Sequence, residues 1–214
     1  MYETAESVAE RTLRSYNGRL EELILDTGWF LTRDEHRGDE IHPLPADLPG
    51  LRALLQLYQT ERMIVLTKGR QLKVSWGTMA YLLAQGLMHE HELEIVQTKR
   101  EEDVENLLER ARFMYDHFPT WLQAIRPRIS GTREHRLKIE FADRDTKMWG
   151  IPQGADVIRS NTVTRYFSDE TDFQPDAKAS LRAAAPSLGD TGQAIFVSTP
   201  ELGGLVGQLI KGEW

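Results

Sequence analysis

The amino-acid sequence predicts an α/β fold, a mainly parallel β-sheet flanked by helices on both faces, and three observations carry that expectation. Short apolar runs of strand length recur at 63–67, 93–98, 162–167 and 194–197. Longer segments with apolar residues at helical spacing separate them, at 75–88, 101–117 and 175–185. Strands that alternate with helices are joined by crossovers, which make neighbouring strands parallel and cover both sheet faces. The chain has 214 residues, 40% hydrophobic and 28% charged, which suits one sizeable domain with a buried core.

Taken in order, residues 4–24 read as two short helices, with Val8, Leu13, Leu20, Leu23 and Ile24 apolar among charges and a break at Gly18. Residues 33–50 are dense in charge, proline and glycine and read as an extended connection. The chain therefore divides into an N-terminal helical segment with its linker, 1–50, and a main domain, 51–214. A short amphipathic helix over 51–58 leads to Met63-Ile64-Val65-Leu66-Thr67, the first buried strand, which ends at Lys68-Gly69. Helix 75–88 carries Trp76, Met79, Ala80, Leu83 and Leu87 and is expected to be buried on most sides. After strand 93–98, helix 101–117 places Val104, Leu107, Leu108, Ala111 and Tyr115 along one face. Residues 137–141 alternate as a half-exposed strand, and 162–167 form a further core strand ahead of Ser168-Asp169-Glu170. Helix 175–185 has its proline near the start, and strand 194–197 runs into Ser198-Thr199-Pro200.

Composition removes several chemistries. With no cysteine there are no disulfides, thiolate zinc sites or cysteine nucleophiles. No run of about eighteen apolar residues and no basic-then-apolar leader is present, so neither a membrane span nor a signal peptide is expected and the cytoplasm is the default location. A net charge of −7 means that attraction to nucleic acid needs a local basic patch. Arg126, Arg128, Arg133, Arg136 and Lys138, opposed mainly by Glu134, are the candidate, with a solvated loop as the equal alternative.

In an open parallel sheet, ligands bind beyond the carboxyl ends of the strands. After the first strand, Lys68-Gly69-Arg70-Gln71-Leu72-Lys73-Val74-Ser75-Trp76 is a loop entering a helix, where backbone N–H groups and the helix N-terminus can hold phosphate. After a later strand, Asp169-Glu170 offers one carboxylate for Mg²⁺ and one to orient or deprotonate an attacking water. After the last strand come the hydroxyls of Ser198 and Thr199. The loop does not match G-x-x-x-x-G-K-[ST], since Lys73 and Val74 stand where that pattern has glycine and lysine. Each feature alone is common by chance; their joint order at the ends of core strands is what points to a phosphoryl-transfer site.

The residues resemble those of a known family. Val65-Leu-Thr-Lys-Gly-Arg-Gln-Leu-Lys-Val-Ser-Trp76 is similar to the variant Walker A of phage large terminase subunits, in which an Arg-Gln-hydrophobic core precedes Ser or Thr and an aromatic. Gln97-Thr-Lys-Arg-Glu-Glu-Asp103, Phe118-Pro-Thr-Trp-Leu122, Gly150-Ile-Pro-Gln-Gly-Ala155, Ile158-Arg-Ser160 and Phe167-Ser-Asp-Glu-Thr-Asp-Phe-Gln-Pro175 resemble the segments that lead through Walker B. The resemblance covers residues 26–200 and implies a P-loop NTPase domain of the ASCE type over 51–214. It implies ATP and Mg²⁺ as cofactors, with ATP-binding residues Lys68, Gly69, Arg70, Gln71, Leu72, Lys73, Val74, Ser75 and Trp76. Within that set Lys68 matches the phosphate lysine of some terminases, Ser75 the hydroxyl on Mg²⁺, and Arg70 an arginine on the γ-phosphate. Asp169 matches the metal-binding aspartate, Glu170 the catalytic carboxylate, and Ser198 and Thr199 the coupling motif. Lys73 departs from the glycine common in relatives, so the phosphate lysine is either Lys68 or Lys73. Implied partners are double-stranded DNA, a portal protein, a small terminase subunit and further copies in a ring, all in the host cytoplasm. The family's C-terminal nuclease has no counterpart before Trp214, so cutting is not expected. The alternative is a non-catalytic P-loop remnant that binds DNA, portal or another terminase component; a helicase-like ATPase shares the same core chemistry.

Two other groupings weigh less. His89-Glu90-His91 has metal-ligand types without a third ligand at a fitting spacing and reads as a polar surface. Trp76, Trp121 and Trp149 read as packed rather than as base-stacking platforms.

Overall fold

In a computed structural model of the chain, which describes residues 4–34, 40–69, 72–129, 136–152 and 154–213, the alternating pattern becomes a six-stranded sheet. The elements are α1 (Ala5–Arg14), α2 (Leu20–Leu25), β1 (Leu31–Asp34), β2 (Glu40–Pro43), α3 (Leu51–Thr60), β3 (Met63–Thr67), α4 (Val74–Met88), β4 (Leu93–Gln97) and α5 (Glu101–Asp116). They continue with α6 (Thr120–Ile125), β5 (Lys138–Phe141), β6 (Thr146–Ile151), α7 (Asp156–Arg159), β7 (Arg165–Asp169), α8 (Ala177–Leu188), β8 (Gln193–Ser198) and α9 (Leu205–Lys211). The sheet order is β3-β8-β7-β4-β6-β5, parallel throughout except that β5 runs antiparallel to β6 at one edge. β8 thus lies between the strand that feeds the loop and the strand that ends in the acidic pair.

Strand periodicity sorts the core into two layers. Val96, Phe167, Ile195 and Val197 pack with buried residues of α1 to α5, whereas Ile95, Tyr166, Ala194 and Phe196 pack with α7, α8 and α9. Helices therefore cover both faces, as the sequence predicts. Most of α4 is buried, including Trp76, Met79, Ala80, Leu82, Leu83, Ala84 and Leu87. A helix apolar all round belongs in the middle of a domain, and α4 lies against α2, α3 and α5 as well as β6.

Three features differ from the sequence reading. Residues 33–50 are not simply extended: β1 and β2 pair antiparallel, with Leu31 opposite Pro43 and Asp34 opposite Glu40. The strand expected at 162–167 lies at Arg165–Asp169, so Ser168 and Asp169 belong to the ladder instead of following it. The sheet also contains β6, inserted between β4 and β5, in a stretch that carries no clear strand pattern. Its Gly150 lies under α5: a Cβ there would fall 2.2 Å from Val104 Cγ1 and 2.7 Å from Leu108 Cδ1. Glycine inside a strand marks such a close approach. Gly150→Ala is expected to destabilise the fold by about 1–3 kcal/mol through overpacking. The check is a lower denaturant midpoint at unchanged slope, and an unchanged midpoint would contradict the close approach.

The N-terminal helices share the main core, since Leu13, Leu20, Leu23 and Ile24 cluster with Leu55, Tyr58 and Leu83. Arg126, 2% exposed, ties α1 down: Nη2 donates to Glu10 Oε2 at 2.8 Å and Nε to the Leu87 carbonyl at 2.8 Å. Three more cations of the basic stretch, Arg128, Arg136 and Lys138, are also engaged within the fold. Arg128 pairs with Asp116 at 2.9 Å and lies over the Tyr115 ring, Arg136 pairs with Glu101 at 2.6 Å, and Lys138 lies 5.0 Å over Trp149. Arg133 and Glu134 fall outside the described residues. His91 meets Asp145 at 3.1 Å and Glu90 meets Arg144 at 3.3 Å, and among the described residues no three ligand-type side chains converge on a metal position. Nor, among them, is any helix long and apolar enough to cross a membrane.

Candidate active site

The strand order brings four chain segments to one edge. Thr67 pairs with Ser198, Asp169 with Val197 and Gln97 with Ser168, so the carboxyl ends of β3, β8, β7 and β4 lie side by side. Lys68, the first residue beyond β3, is held by its backbone N–H on the Ser198 carbonyl at 3.0 Å.

From there the Lys68 side chain crosses to β7. Its Nζ lies 2.6 Å from Asp169 Oδ1, 3.0 Å from Ser75 Oγ and 3.3 Å from Glu170 Oε1. Ser75 Oγ in turn donates to Asp169 Oδ2 at 2.7 Å. The Asp169 side chain is 8% exposed and that of Lys68 12%, so this pair is partly shielded from water, while Glu170 is 42% exposed and faces outward. An ammonium with two carboxylates and a hydroxyl has the composition of a phosphoryl-transfer site.

Local backbone explains how each group is presented. Lys73 precedes α4 in the left-handed region, φ 52° and ψ 17°, which turns the chain into the helix and leaves Ser75 in its first turn. The first turn of a helix has N–H groups without intrahelical acceptors, a natural anion-binding surface. Glu170 is also left-handed, φ 50° and ψ 46°, an uncommon conformation for a side-chain-bearing residue and one that clusters at functional turns. That turn is braced from three directions. The Glu170 N–H donates to Asp169 Oδ1 at 3.0 Å, Glu170 Oε2 accepts from the Thr199 N–H at 3.2 Å, and the buried Gln174 donates from Nε2 to the Asp169 carbonyl at 2.8 Å.

The remaining expected residues are distributed as follows. Lys73 does not reach the carboxylates: its Nζ donates to the Arg33 carbonyl at 2.7 Å, on β1. Val74 and Trp76 direct their side chains into the core, Trp76 edge-on to Phe113 at 5.9 Å, so what they could offer an anion at the helix start is backbone. Gly69 lies in the loop and Leu72 is exposed there. Arg70 and Gln71 lie outside the described residues. Ser198 is fully buried, its Oγ accepting from the Asp172 N–H at 3.1 Å and donating to the Thr199 carbonyl at 2.9 Å. Thr199 touches the acidic pair through its N–H. Sequence reasoning passes over Gln174 and Asp172, although both stand in the polar run after β7; their spacing carries no motif that separates them from loop residues.

The donor set suits Mg²⁺. Ser75 Oγ and Asp169 Oδ2 are two hard oxygens 2.7 Å apart. Mg²⁺ usually takes few protein ligands and completes its octahedron with water and phosphate oxygens, so two protein oxygens are compatible with that ion.

Comparison with known proteins places the architecture. The chain superposes on the HK97 bacteriophage large terminase with a TM-score of 0.68 at 15% identity, covering 91% of this chain and 40% of that one. It superposes on the Thermus phage P74-26 large terminase ATPase domain with a TM-score of 0.52 at 17% identity, covering 66% and 61%. For the large terminase of the thermophilic bacteriophage D6E the TM-score is 0.50 at 12% identity, covering 71% and 39%. The chain thus spans well under half the length of two of these proteins. No family model and no curated protein matches it in sequence.

Proposed function

We propose that this chain, which has the fold of the ATPase domain of phage large terminases, is a Mg²⁺-dependent ATPase that drives double-stranded DNA into a procapsid. The observation that supports this most is the convergence of Lys68, Ser75, Asp169 and Glu170 at the carboxyl edge of the sheet, with Lys68 and Asp169 alone 101 residues apart in sequence. Lys68 binds the β- and γ-phosphate oxygens, and the N–H groups at the start of α4 receive the phosphate chain. Ser75 and Asp169 hold Mg²⁺, which neutralises charge on the phosphates when bound. Glu170 orients the attacking water and accepts its proton, and Arg70 stabilises charge on the γ-phosphate. Ser198 and Thr199 relay turnover to DNA movement. The working assembly is a ring with portal protein and small terminase subunit in the host cytoplasm, and no nuclease activity is assigned to this chain.

The decisive experiment is ATP hydrolysis by the full chain at high protein concentration, with and without duplex DNA, with and without Mg²⁺. Turnover that needs Mg²⁺ and disappears in Asp169→Ala is the expected result. Absence of nucleotide binding even at saturating Mg-ATP would instead leave a non-catalytic module with this fold.

A further inference from the structure

We infer that Asp172 is a positioning residue that ties the catalytic turn to the segment after β8, so that nucleotide bound at the acidic pair is transmitted to residues 199–206. This rests on the nucleotide reading above. Asp172 lies in a 3-10 turn, Thr171–Phe173, immediately after Glu170. Its N–H donates to Ser198 Oγ at 3.1 Å. Its carboxylate reaches across: Oδ2 accepts from the Glu201 N–H at 3.2 Å and Oδ1 from the Val206 N–H at 2.7 Å. Val206 is in the first turn of α9, where backbone donors have no intrahelical acceptor, so a side chain from a distant segment does what a capping residue ordinarily does.

Gly204 supplies an independent mark of the same contact. Its φ of −63° is open to any residue, so conformation does not call for glycine there. Space does: a Cβ on Gly204 would lie 2.3 Å from both the carboxyl carbon and Oδ2 of Asp172. The missing side chain is the room that the carboxylate occupies.

Two acids of one turn therefore grip three N–H groups of the segment that leads from β8 into α9, Glu170 at Thr199 and Asp172 at Glu201 and Val206. They differ in what nucleotide asks of them. Glu170 divides its oxygens, Oε1 toward Lys68 at 3.3 Å and Oε2 on the Thr199 N–H at 3.2 Å. A carboxylate drawn toward an attacking water therefore strains the Thr199 contact, whereas Asp172 keeps both oxygens on Glu201 and Val206. Binding then loosens the start of the segment while its far end stays fastened, and the loop pivots about Asp172.

The test is residue-resolved amide exchange over 199–206 in the full chain, with Mg²⁺ and a non-hydrolysable ATP analogue, alongside calorimetric measurement of analogue binding. In the wild-type chain the analogue should speed exchange at Thr199 and leave Glu201 and Val206 slow. Asp172→Ala should speed exchange at Glu201 and Val206 about tenfold, the consequence of removing a charged acceptor. Analogue affinity should stay within about threefold, a difference well under 1.4 kcal/mol. Gly204→Ala, which keeps the acid but displaces it, should reproduce the exchange pattern, and this variant carries the test if Asp172→Ala does not fold. Analogue binding with slow exchange at Glu201 and Val206 in the folded variants would overturn the inference alone. No analogue binding in the wild-type chain would overturn the functional reading and this inference with it.

Discussion

Glu170→Gln is expected to lower ATP turnover by about 10²–10⁴-fold, the range that a positioned general base supplies, while nucleotide still binds. Glutamine is close to isosteric, and its carbonyl oxygen can still accept from the Thr199 N–H that Glu170 Oε2 holds at 3.2 Å. The turn should therefore survive. Lys68, Ser75 and Asp169 keep their mutual contacts at 2.6, 3.0 and 2.7 Å, and of the groups assigned to phosphate and Mg²⁺ only Lys68 loses a charged partner, the one at 3.3 Å. What disappears is the charge that orients water and takes its proton. Measured as a rate against substrate concentration, the loss should fall on kcat with KM little changed. Wild-type turnover in this variant would remove Glu170 from the role of base, whatever its geometry.

Lys68→Ala and Lys73→Ala should behave differently, and the contrast is the sharpest consequence of the fold. Lys68 Nζ lies 2.6 Å from Asp169 Oδ1, and the Asp169 side chain is 8% exposed. Its removal leaves a shielded carboxylate with Ser75 as its hydroxyl partner, which should cost about 1–3 kcal/mol of stability. Loss of a charge-assisted contact to phosphate should weaken Mg-ATP binding by about 10–100-fold as well. Lys73, anchored on the Arg33 carbonyl at 2.7 Å, should change nucleotide affinity by no more than about threefold when truncated. Its effect should appear as looser packing of β1 against the loop. Titration of fluorescent nucleotide, paired with chemical denaturation, distinguishes the two; equal losses of affinity would contradict the assignment of Lys68.

How far the sequence reads depends on the range of the interactions involved. β3, β4 and β8 are legible because each is a short, nearly continuous apolar run, the pattern of a strand covered on both faces. β6 is not, because Thr146-Lys-Met-Trp-Gly-Ile151 mixes charge, glycine and bulk; it becomes a strand because β4 pairs with it in register along its length. β7 shifts relative to the apolar run for the same reason. Ser168 and Asp169 are polar, yet Phe196 and Val197 of β8 extend the ladder past them and bury them. Residues 33–50 read as an open connection because charge and proline are local signals, whereas β1 and β2 pair between residues up to twelve positions apart, Leu31 with Pro43.

By itself, the order of residues determined the alternation of strands and helices, the two-sided core, and the placing of the 68–76 loop and of Asp169 and Glu170 at strand and helix ends. Those features are set by side-chain periodicity and by residue type within a few positions. Only the tertiary structure decided which lysine meets the carboxylates. Lys68 and Lys73 are five residues apart in one loop, and nothing local separates two ammonium groups of equal charge and reach. Their fates diverge because β8 is inserted between β3 and β7, which brings Asp169 within 2.6 Å of Lys68, and because the left-handed turn at Lys73 aims that side chain at β1. Strand order and a single backbone torsion are outcomes of the whole packed sheet, so which lysine of the loop lies beside the carboxylates is set by contacts made about a hundred residues away.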